Sequence, residues 1–229
     1  MIKKILIAMM CVMLSGSYAF AFTIEDIDSE EIFNPSFIEK DKAAYEKEQA
    51  QKPQSPQFPA FTDVPKSEYY YEPVMWAVKQ EVTAGTTATT FSPNQTCTNA
   101  QILTFVWRAN GCPEPSISNP FTNLDTNQYY AKAAIWAYEN KMISGNTFDA
   151  NKPCTRAMTV EYFWKQAGSP STALYDKFTD VKSNASYAQA VAWAVNNGVT
   201  AGTSDTTFSP SQTCTRGQIV TFLYRAIVQ

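Results

Sequence analysis

The sequence predicts a mainly α protein in which three helix-loop-helix repeats pack as a pseudo-threefold cluster, and three observations carry that expectation. The stretches FTDVPKSEYYYEPVMWAV from Phe61, FTNLDTNQYYAKAAIWAY from Phe121 and FTDVKSNASYAQAVAWAV from Phe178 align without gaps. Each leads, in the same order, to a glycine (Gly85, Gly145, Gly202), a phenylalanine (Phe91, Phe148, Phe208) and a Cys-Thr pair. Self-similarity at a period of 57 to 60 residues marks a repeat architecture, whose units cannot bury their apolar faces alone. Within every repeat, apolar residues recur at the i, i+3, i+4 spacing of a helix.

Ahead of the repeats, Lys3 and Lys4 precede an apolar run from Ile5 to Leu14 and an Ala19-x-Ala21 pattern. This reads as a secretory signal over residues 1–21, cleaved after Ala19 or Ala21. The run falls short of the ~20 apolar residues that span a bilayer, so an exported chain with no membrane span after cleavage is expected. Cys11 follows AMM and lacks the small residue of a lipoprotein cleavage site. Residues 22–60 carry nine acidic and four basic side chains and end in QKPQSPQFPA. They read as an acidic linker or arm, with a short helix around Phe37–Gln51, open to a protein partner that nothing in it specifies.

In the first unit, residues 61–113, Pro73, Trp76 and Ala77 share one face of a helix, and the loop TTATTFSPNQTC supplies turn chemistry around one aromatic anchor. Thr98 then caps a second helix whose core face is Ile102, Phe105, Val106 and Ala109. The second unit, residues 121–170, repeats the plan with a loop three residues shorter, Thr155 as cap, and Tyr162 and Phe163 on the core face. The third, residues 178–229, ends its first helix near Gly198, where the others have Glu81 and Lys141, and caps its second with Thr215. Thr98 and Thr215 have a glutamine three residues on, as a capping box requires; Met158 cannot serve in the middle unit. A linear stack and a closed cluster both bury the repeated faces. No unit shows the polar outer face of a terminal cap, so closure is expected.

Residues 61–229 hold twelve acidic and twelve basic side chains, a balance that argues against a nucleic-acid partner. The chain has no histidine, which removes imidazole-dependent nucleophilic and metal mechanisms. Cys97, Cys154 and Cys214 share one repeat position and are expected to pack as small buried hydrophobes, with no metal and no cofactor. A bridge from Cys97 to Cys112 would have to cross about 22 Å of helix, against the ~6 Å a disulfide permits.

In FTDV, WAV and GVTAGTSDTTFSPSQTCTRGQIVTFLYRA the chain resembles the S-layer homology module, and the resemblance covers all three units. It implies a non-enzymatic, three-module anchor at a bacterial cell surface or cell wall, binding secondary cell-wall polysaccharide, commonly pyruvylated, in grooves between adjacent modules. Arg156 and Arg216, each just after the capping Thr155 or Thr215, would hold the acidic group with the help of free N–H groups at the helix start. Asp63, Asp180, Gly145, Gly202 and Trp164 complete the candidate ligand-binding set. Asn99 stands where the first unit should have an arginine, so that groove should bind weakly or not at all. The family's glutamate is Gln101, Met158 and Gln218 here, and Asn123 replaces the middle aspartate.

Trp76, Trp136 and Trp193 fit a core role ahead of sugar stacking, whereas Trp107 and Trp164 lie off the core stripe and are expected at a groove or interface. Arg108 and Arg225, near helix C-termini, need no function beyond the helix dipole. Two rival readings remain: a protein-interaction scaffold whose grooves no longer take sugar, and a glycan-processing enzyme built on paired carboxylates.

Overall fold

The computed structural model describes residues 61–228. The signal sequence and the acidic arm assigned to residues 1–60 lie outside them. Six helices follow one another: α1 (Tyr71–Lys79), α2 (Asn99–Ala109), α3 (Ala131–Glu139), α4 (Arg156–Gln166), α5 (Ala188–Asn196) and α6 (Arg216–Val228). Among the described residues there is no β-strand beyond isolated bridges. No described helix is long and apolar enough to cross a membrane.

Helices begin and end where local chemistry requires. Thr98 accepts the N–H of Gln101 while the Gln101 side chain accepts the N–H of Thr98, and Thr215 and Gln218 repeat the exchange. Thr155 caps α4 through the N–H of Met158 without the reciprocal bond, as the missing glutamine predicts. Pro73 falls in the first turn of α1, where its absent N–H costs nothing. Glu81, Lys141 and Gly198 all terminate the first helix of their repeat in the left-handed conformation, at φ 57°, 59° and 67°. The glycine is therefore replaced twice without changing the geometry, at about 1 kcal/mol each.

The second helix of each repeat packs against the first helix of the next: α2 with α3, α4 with α5. The pairing of α1 with α6 closes the ring. At the pseudo-threefold axis the three cysteine positions exchange backbone bonds cyclically. Cys97 N–H donates to the Cys214 carbonyl (2.9 Å), Cys154 to Cys97 (2.9 Å) and Cys214 to Cys154 (2.8 Å). Their side chains are fully buried, and no disulfide joins them or the exposed Cys112. Desolvation pushes the Cys154 thiol up to about 12 and raises Cys97 and Cys214 as well, so all three stay neutral. Phe91, Phe163, Phe208, Ile102, Ile219 and Leu223 fill the surrounding core.

Candidate functional site: three quasi-equivalent grooves

Each second helix starts against the loop of another repeat, and this seam shapes a groove. At α6 the N–H groups of Arg216 and Gly217 donate to the carbonyls of Gln95 and Pro93, both at 2.9 Å. At α4 those of Arg156 and Ala157 reach Gln212 and Pro210, and at α2 those of Asn99 and Ala100 reach Lys152 and Ala150. The free helix-start N–H groups expected for anion binding are therefore occupied. Closure of the ring consumes them, because a buried amide without a partner would be costly. Recognition of an anion falls to the side chains.

Arg216 is only 3 % exposed. Its Nε donates to the Phe91 carbonyl at 3.0 Å, and its guanidinium lies between the rings of Phe91 and Phe105, 4.8 and 5.2 Å from their centroids. Arg156, 4 % exposed, repeats this with the Phe208 carbonyl (2.7 Å) and the rings of Phe208 and Phe222, and adds a bond from Nη2 to Thr200 Oγ1 (3.2 Å). Desolvation presses both guanidinium pKa values below the ordinary arginine range. Neither arginine has a carboxylate partner: the one ion pair among the described residues is Lys132 with Glu114. The terminal nitrogens of Arg216 have no partner among the described residues. Since no fully buried side-chain nitrogen or oxygen in the described region lacks one, these nitrogens open onto the groove.

That first groove has a volume of about 430 Å³ and is lined by Thr83, Gly85, Thr86, Arg108 and Tyr129 beside Arg216. All three repeats contribute to it. Arg108 also reaches the Val82 carbonyl (3.4 Å), as Arg225 reaches Val199 (3.5 Å) and Lys165 reaches Met142 (3.1 Å). These basic residues brace the turn after the first helix of their own repeat, more than a dipole argument alone required.

The groove of the middle repeat is built differently. Asn99 takes the arginine's place and donates to the Asp149 carbonyl (3.2 Å), while Tyr162, standing where the others have Phe105 and Phe222, donates its hydroxyl to Asn99 Oδ1 (2.8 Å). The smaller cavity there, about 280 Å³, is lined by Asn99, Ser144, Thr147, Lys152 and Met158. The two substitutions compensate each other and leave no buried cation.

The remaining candidates fall into place around these grooves. Thr155 and Thr215 are helix caps. Asp63 accepts the N–H groups of Phe91 and Ser92 (2.9 and 2.7 Å), and Asp180 those of Phe208 and Ser209 (2.8 and 2.7 Å). Both oxygens of each carboxylate are thus committed to bracing the loop that presents the arginine's carbonyl partner. Asn123 does the same from both ends of its amide, accepting from Phe148 N–H and donating to its carbonyl. Gly202, at φ 92°, lies so close to the Phe178 ring that a Cβ would come within 2.6 Å, whereas Gly145, at φ 99°, faces open space. Trp164 does not line the middle groove; its indole N–H donates to the Pro170 carbonyl at 2.9 Å, and Trp107 holds Pro113 in the same way at 2.8 Å. These two indoles tie down the linker that follows their helix, which is why they sit off the core stripe. Trp136 and Trp193 are buried, and Trp76 meets Tyr224 edge-on. The residue missed in the sequence is Tyr129, whose signal was the Tyr-Tyr pair at the same offset in the first two repeats.

This arrangement coincides with the sequence profile of the S-layer homology domain, which matches residues 60–103 and 177–220. Domains of this family anchor proteins to the bacterial cell wall and are themselves non-catalytic. An endoglucanase of Bacillus sp. (strain KSM-635) is 32 % identical over 169 residues, covering 69 % of this chain and 18 % of that protein. An amylopullulanase of Thermoanaerobacterium thermosulfurigenes is 24 % identical over 178 residues, covering 72 % of this chain and 9 % of that protein. The chain thus spans less than a fifth of the length of either relative.

Proposed function

We propose that this chain is a non-enzymatic wall anchor made of three S-layer homology modules, the middle one being residues 121–170. It is exported, and it binds an acidic secondary cell-wall polysaccharide in the two grooves that hold Arg216 and Arg156. One observation carries the reading: two buried guanidinium groups at equivalent positions have no carboxylate partner among the described residues. A buried charge without a counter-charge is costly. A ligand carboxylate, such as a pyruvate ketal presents, would supply it as a charge-assisted, planar pair. The groove at Asn99 has no such charge and takes no part in anion binding. No catalytic role is proposed for Asp63 and Asp180, whose oxygens are taken by backbone amides.

The test is co-sedimentation with protein-free sacculi of a Gram-positive bacterium, comparing the wild type with Arg216→Met, Arg156→Met and the double variant. Methionine keeps an unbranched, polarizable chain between the two rings. Binding should fall in two steps and vanish in the double variant, with helical circular dichroism retained. A folded double variant that still sediments would refute the reading.

A further inference from the structure

The grooves differ in more than their arginines. Tyr129 and Tyr69 are 59 % and 57 % exposed, and their hydroxyls have no partner among the described residues. Each ring is held edge-on by its neighbour, Tyr129 against Tyr130 (5.1 Å, 89°) and Tyr69 against Tyr70 (5.0 Å, 77°). Tyr129 reaches the Arg216 groove from the second repeat. Because α1 packs on α6 as α3 packs on α2, Tyr69 stands in the same relation to the Arg156 groove. At the Asn99 groove the equivalent residue is Ser186.

The loops differ in the same way. Thr86 Oγ1 meets Thr90 Oγ1 at 3.0 Å and Ser92 Oγ at 2.7 Å; Thr203 Oγ1 meets Thr207 Oγ1 and Ser209 Oγ at the same two distances. The middle repeat, with its shorter Gly-Asn-Thr-Phe loop, has no such lattice. Buried arginine, exposed tyrosine and hydroxyl-rich loop therefore occur together in two grooves and are absent together from the third. The ring closes at the Asn99 groove without any of them, so the fold does not demand them.

Resting on the anchoring reading above, we propose that Tyr129 and Tyr69 are the sugar-binding platforms of the two grooves, each taking one acidic pyranose unit. The ligand carboxylate meets the arginine, the C–H face of the ring lies on the tyrosine, and ring hydroxyls exchange hydrogen bonds with the tyrosine O–H and the hydroxyl loop. Desolvation raises the Tyr129 pKa, so its hydroxyl remains a donor.

The experiment isolates one groove. In the Arg156→Met background, binding of polysaccharide released from sacculi is measured by calorimetry, with neutral dextran as control. Tyr129→Ala should weaken binding about tenfold, as truncation of an aromatic anchor does. Tyr129→Trp, which keeps a flat face and a donor, should restore it, and Ser186→Ala should change nothing. Binding by the Tyr129→Ala variant within twofold of its folded parent overturns the platform while leaving the arginine reading intact. A parent that binds neither sacculi nor polysaccharide overturns both.

Discussion

The Asn99 groove offers a natural replacement for the buried arginine, and the exchange makes a quantitative test. Arg216→Asn removes a charged hydrogen bond to the Phe91 carbonyl, a contribution of about 1.5–3 kcal/mol, and two ring contacts of ~0.5–1 kcal/mol each. Relief of guanidinium desolvation offsets part of this. The net loss should be about 2–3 kcal/mol, or roughly 5–10 °C in Tm for a unit of this size. Adding Phe105→Tyr supplies the hydroxyl that Tyr162 gives Asn99, and one buried hydrogen bond should recover about 1 kcal/mol, some 2–4 °C. Urea and thermal unfolding of the wild type, both single variants and the double variant complete the cycle. The expected signature is a double variant more stable than the sum of the singles allows. Additivity to within about 0.5 kcal/mol would refute the idea that Asn99 and Tyr162 form a compensating pair. The same double variant should keep its fold and lose anion binding at that groove, a cleaner knock-out than truncation.

The buried thiols predict an alkaline loss of stability. Their folded pKa values are raised by desolvation, Cys154 to about 12, so their contribution is full below the unfolded value near 9 and is lost as pH rises towards the folded one. Each should contribute a slope of up to ~1.4 kcal/mol per pH unit in that window, and replacing all three with alanine should flatten the fall in urea midpoint between pH 8 and 10.5; an unchanged slope would count against neutral, buried thiols. Gly202→Ala should destabilise well beyond the ~1 kcal/mol cost of a left-handed alanine, because its Cβ would strike the Phe178 ring and the Thr207 carbonyl, whereas Gly145→Ala should show the backbone cost alone. Equal thermal shifts for the two variants would contradict the packing described at Gly202.

Much of the fold was legible because the information is local and repeated. Helix starts follow from Thr98, Thr155 and Thr215, the half-formed cap of α4 from Met158, and the core faces from residues three and four apart, all of which a sequence states directly. Threefold repetition without a polar terminal face pointed to closure, and the burial of Cys97, Cys154 and Cys214 followed from their shared position. The grooves were legible only in outline. Arg216 was recognisable as the residue that follows a capping threonine, but its burial depends on Phe91, 125 residues away in sequence. The loss of free N–H groups at the helix starts, the commitment of Asp63 and Asp180 to loop amides, and the arrival of Tyr129 from a different repeat all arise where one unit meets another. The sequence by itself determined the units, their caps and their apolar faces, because those rest on neighbours within a few residues. Only the tertiary structure decided which polar groups the ring's closure consumes and which it leaves facing a groove, because that depends on contacts between repeats.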